Sequence, residues 1–86
     1  MHVTFCRDKR SRKLVSPPTI QANGLLFLKG EAAEGVLEDA IAMLEEVYYK
    51  GQNRDDLDEL VRLETRRFFK RRVSHKPLVI PVFLDH

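Results

Sequence analysis

The densest chemistry in the chain is positive charge. Arg66, Arg67, Lys70, Arg71 and Arg72 crowd one short segment around Phe68-Phe69, with Lys76 just beyond. Clustered Lys and Arg of this kind attract a phosphate backbone by releasing its counterions, and they do so without reading base sequence. The bland alternative is a solvated helix end whose cations complement the dipole. That explains a cation or two, not a cluster. A second basic group, Arg7, Lys9, Arg10, Arg12 and Lys13, is opposed only by Asp8. Charged hairpin tips of this sort commonly just keep sheet edges soluble.

Other chemistries are poorly supplied. His2, His75 and His86 fall in none of the spacings H-x-H or H-E-x-x-H, and there is no C-x-x-C. A metal site within the chain is therefore not expected. Cys6 falls in a β-like stretch, where a buried, inert thiol is the common case. The single cysteine allows no internal disulfide, which fits a reducing compartment. Glu38, Asp39, Glu45 and Glu46 lie on the polar face of a helical pattern and read as solvated surface. Gly24, Gly30, Gly35 and Gly51 form no phosphate-binding loop. No catalytic constellation emerges.

The elements that must position these residues fit one small domain covering residues 1–86. A chain of this size builds one thin, two-layer core and has no room for a walled substrate cavity. Residues 2–6 alternate as a short strand, and 13–16 suit a short returning strand before Pro17-Pro18. Asn23-Gly24 marks a turn, and 24–29 reads as a further strand. From Glu31 to about Lys50 the apolar period becomes helical, through Val36, Leu37, Ala40, Ile41, Leu44, Val47 and Tyr48, with Gly51 as a stop. A second helix starts near Asp55 as N-cap, carries Leu57, Leu60, Val61 and Phe68 inward with Thr65 as a small spacer, and ends before Pro77. The last strand is 78–84, and Pro81 suits an edge position.

The fold expected is α+β in two layers, in the order β-(β)-β-α-α-β. Two antiparallel helices lie on one face of a small three-stranded mixed sheet. Strands 24–29 and 78–84 are apolar on both faces, and two helices cover only one. Leu26, Leu28, Val79 and Phe83 are therefore expected to form an interface, unless the segment 16–23 roofs that side. Charge is unevenly spread: residues 31–59 hold ten acids against Lys50 and Arg54, which points to an electrostatic partner. There is no apolar run of membrane-spanning length and no signal-peptide pattern at the start. The expected location is cytoplasmic, with no membrane partner.

Several segments resemble a known family. Lys13-Leu14-Val15-Ser16-Pro17-Pro18-Thr19-Ile20, followed by Asn23-Gly24-Leu25-Leu26-Phe27-Leu28, is similar to a stretch of bacterial ribonuclease J. Arg71-Arg72-Val73-Ser74-His75-Lys76-Pro77-Leu78-Val79-Ile80-Pro81-Val82 resembles the finish of the same family. The resemblance points to that family's C-terminal domain. It departs at Asn23, where the family has arginine, at Pro17-Pro18 in place of Gly-Pro, and at Thr19 in place of aspartate. The family's enzymes are zinc-dependent exo- and endoribonucleases of the metallo-β-lactamase superfamily that process and degrade RNA. Their H-x-H-x-D-H motif is absent here. The resemblance thus implies a non-catalytic, cofactor-free appendage of a zinc hydrolase. It would support oligomerisation or the nuclease body, with Arg66, Arg67, Lys70, Arg71, Arg72 and Lys76 near the RNA backbone. The alternative is a free-standing basic RNA-binding module without nuclease activity.

Overall fold

Alternation in residues 2–7 puts Val3 and Phe5 on one side of a strand, and both are fully buried. This is β1 (His2–Arg7). The computed structural model describes residues 1–21, 31–74 and 77–86. The remaining described elements are β2 (Thr19–Gln21), α1 (Glu31–Gly51), α2 (Leu57–Val73) and β3 (Ile80–Asp85). The expected strand at 24–29, with Leu26 and Leu28, lies outside the described residues, as does Lys76.

The sheet is mixed, in the order β2-β1-β3. β1 pairs antiparallel with β2, Val3 opposite Ile20. It pairs parallel with β3, Val3 opposite Pro81 and Phe5 opposite Phe83. Among the described residues the architecture is the α+β one expected, with three strands and two helices. Its second strand forms after Pro17-Pro18, not before it. Leu14 makes only a single bridge to Arg7, and Pro17 and Pro18 have no N–H to continue a ladder. Pro18 is buried instead, and the next three residues extend the sheet beside β1. Among the described strands β3 pairs with β1 alone, an outer position that suits Pro81.

α1 and α2 are joined by a short connection and run antiparallel. Val3, Phe5 and Val79 pack against Leu44, Val47, Tyr48, Leu57 and Val61. A second cluster, Val36, Ala40, Phe68 and Phe69, joins the far halves of the helices. Gly51 is the close-approach point of the helix pair. A Cβ there would sit 2.7 Å from the Leu60 side chain and 3.2 Å from that of Leu57.

The start of α2 differs by one residue from expectation. Asp56, not Asp55, takes the N-cap position, and its side chain caps nothing. Its carboxylate is taken by the Arg54 guanidinium through two hydrogen bonds of 2.8 Å. At the other end Ser74 adopts φ 55° and donates its N–H to the Lys70 carbonyl. That left-handed cap stops the helix before Pro77.

Candidate nucleic-acid and docking surfaces

Three sheet-side turns of α2 place Val61, Thr65, Phe68 and Phe69 inward. The spacing is that of one wide helical stripe. What remains outward is basic: Arg66, Arg67, Lys70, Arg71 and Arg72 are all exposed. The two phenylalanines inside the basic run are therefore core residues, with rings edge-to-face at 5.3 Å. They offer no stacking platform for bases. Phe69 is a core residue that the sequence pattern left within the basic run.

Part of the cluster is already neutralised. Arg72 reaches across to Asp39 of α1 at 2.7 Å, and its guanidinium lies over Phe68. Arg67 pairs with Glu64, and Arg62 with Glu59, one turn earlier. Arg66, Lys70 and Arg71 have no ion pair among the described residues. Arg62, Leu63 and Arg66 also border a groove of about 380 Å³, closed on its other side by Pro77, Leu78 and Val79. Leu78 is 77% exposed there.

The apolar residues picked out on the last strand fall on the covered side. Val79 is 2% exposed, in the main core. Phe83 stacks on Phe5 with ring centroids 5.2 Å apart, and the Arg7 guanidinium sits over its ring. Val79 is thus buried, whereas Phe83 is half-buried and borders an open groove with Arg7, Arg12 and Leu57. The open face carries the alternate residues. Ile80, Val82 and Leu84 lie opposite His2, Thr4 and Cys6 in the register. Ile80 is 43% and Leu84 47% exposed. The strand is apolar throughout, so only its docking against the helices decided which set faces out.

The basic turn after β1 is a built structure. The Asp8 carboxylate accepts hydrogen bonds from the backbone N–H of Arg10 and Ser11, each at 2.8 Å. Those bonds hold its carboxyl below the usual range. Arg12 takes φ 65°. Its carbonyl accepts the Tyr48 hydroxyl at 2.7 Å, while the Tyr49 hydroxyl accepts the N–H of Leu14 at 3.0 Å. The role of the tyrosine pair as the clamp on this turn has no signature in sequence spacing, because the partners are some thirty-five residues apart. Beside it, Arg7 pairs with Asp85. This bond lowers the Asp85 carboxyl and raises the Arg7 guanidinium.

The two basic regions are anchored at different points of α1. One sits beside Tyr48 and the other beside Asp39. Nine residues of α1 separate those points, about 14 Å along the axis at 1.5 Å per residue.

Among the described residues, no group of three or more His, Cys, Asp or Glu could hold a metal ion. Cys6 is a free, half-buried thiol. No helix among them is long and apolar enough to cross a membrane. The fold and these surfaces define a small two-layer α+β module whose exposed features are charge and apolar area. The family model for the ribonuclease J C-terminal domain matches residues 1–86, and the chain belongs to that family. A search of the curated proteins and a search of the solved structures each found no match.

Proposed function

We propose that this chain acts as a non-catalytic support for a ribonuclease J-like RNA-processing nuclease whose own chemistry depends on zinc. It docks through the open face of its sheet, either on its own copy or on the nuclease body. The observation that carries this reading is the row Ile80, Val82 and Leu84, apolar and facing away from both helices. Among the described residues Ile80 and Leu84 are exposed and Val82 is half-buried, and exposed apolar strand residues favour burial against another protein. The cations Arg66, Lys70 and Arg71, with Lys76 following in the sequence, add phosphate attraction near an RNA path.

Sedimentation velocity tests the docking. Mixing the chain with a ribonuclease J nuclease body, and running it alone at rising concentration, is expected to give a faster boundary in at least one case. Leu84→Asp and Ile80→Asp should abolish that boundary while leaving far-UV helicity unchanged. A wild-type chain that sediments as a monomer in both cases would remove the proposal's footing.

A further inference from the structure

The turn at residues 8–13 is held more firmly than a solvated hairpin tip requires. Its backbone closes on itself through Asp8 N–H to the Lys13 carbonyl and Arg12 N–H to the Asp8 carbonyl, both 2.8 Å. The Lys9 N–H donates to the His86 carbonyl at 3.0 Å, tying the turn to the end of β3. Tyr48 and Tyr49 anchor it from α1. Tyr48 is fully buried, with its ring stacked on Phe5 at 5.5 Å. A core residue thus spends its hydroxyl on a surface loop. Arg12 occupies the left-handed region that glycine or asparagine would enter without strain. A long cation stands where its backbone is disfavoured, and the surrounding hydrogen bonds hold that conformation.

The charge arrangement at this turn differs from that on α2. Lys9, Arg10, Arg12 and Lys13 are all exposed, and none has an ion pair among the described residues. The only carboxylate within the turn, Asp8, faces its own backbone. On α2, by contrast, Arg62, Arg67 and Arg72 are each held by an acid. The α2 cations also border exposed Leu63 and Leu78. Residues 8–13 themselves carry no apolar side chain, and exposed Val15 and Tyr49 lie beside them. A polyanion needs only fixed, unpaired cations.

We propose that the turn at residues 9–13 is a phosphodiester-binding surface, separate from the basic end of α2, and that RNA backbone is its ligand. The choice of RNA over another polyanion rests on the ribonuclease reading above. Contact is to phosphates, so it carries no base preference.

The test is fluorescence anisotropy of a labelled single-stranded RNA against the chain over a salt series, with labelled polyglutamate as a second probe. Changing Lys9, Arg10 and Lys13 together to alanine is expected to weaken RNA binding at least tenfold at low salt. It should flatten the log–log salt slope by about two, at roughly 0.7 for each phosphate no longer neutralised. Arg66→Ala with Arg71→Ala should have the smaller effect. Tyr48→Phe keeps every charge but frees the Arg12 carbonyl, and is expected to weaken binding by an intermediate factor. Three results overturn the proposal: no RNA binding by the chain at low salt, binding unaffected by the triple change, or polyglutamate bound at the turn as tightly as RNA. None of these bears on sedimentation with the nuclease body, so the docking reading fails or survives separately.

Discussion

Arg7 and Asp85 close the end of the sheet where β1 and β3 run out. Arg7 stands over the Phe83 ring and donates to the Asp85 carboxylate. That hydrogen bond is the main cause that holds the Asp85 carboxyl below its ordinary value. A carboxyl depressed in the folded state adds stability above its unfolded value, near pH 4, and loses it as pH falls through the folded value. The difference in urea midpoint between wild type and Asp85→Asn is therefore expected to stay constant above about pH 5. It should shrink as the pH drops below about 4. A difference unchanged down to about pH 2 would show that the charge is not what Asp85 contributes. The basic residues on both sides of Asp8 could be read from the sequence as a cluster. Which basic residues of the chain are ion-paired could not, since Arg72 finds its acid on the other helix and Arg7 finds its own on the last strand.

At the scale of the elements, the helix pair is held by rings rather than by its visible charges. Phe68 and Phe69 fill the space against Val36 and Ala40, and Thr65 turns its hydroxyl back to the Val61 carbonyl at 2.7 Å. That bond lets a polar residue lie fully buried with its oxygen satisfied. The Asp39–Arg72 bridge joins the same two helices but is open to water. Phe69→Ala is expected to destabilise the chain by about 3–5 kcal/mol. Asp39→Asn should cost less than about 1 kcal/mol, as exposed pairs do. Chemical denaturation monitored by far-UV circular dichroism measures both, and similar losses for the two variants would mean that the bridge matters more than its exposure allows. Both helices were legible from their apolar period. The boundaries moved by one residue at Asp56, where Arg54 competes for the carboxylate that would have capped the helix.

For the molecule as a whole, the central strand is the structural axis. β1 is paired on both sides and buries Val3 and Phe5 completely, whereas β2 is only three residues long. Amide exchange is expected to be slowest at Val3 and Phe5 and fastest along Thr19–Gln21, because opening the outer strand leaves the core intact. Hydrogen–deuterium exchange read by NMR or mass spectrometry checks this order. Equal protection of β1 and β2 would mean that the sheet opens only as a unit. The same layering separates the surfaces: one basic turn by Tyr48, one basic helix end by Asp39, and an apolar sheet face turned away from both helices. A ligand on one of them need not exclude a partner on another.

Amphipathic period and the spread of charge were enough to establish two helices on a small mixed sheet and a basic α2 end. These are local properties, and each repeats over enough residues to survive changes of context. The facing of β3 was not local. The segment 78–84 is almost uniformly apolar, so alternation carries no information about which side is inward. Val79 is buried in the core and Phe83 packs half-buried on Phe5, leaving Ile80 and Leu84 exposed and Val82 half-buried on the other side. The clamping of the basic turn by Tyr48 and Tyr49 was likewise decided only in three dimensions. A hydrogen bond between groups far apart in the chain leaves no trace in their spacing, and only the folding of α1 against β1 brings them within reach.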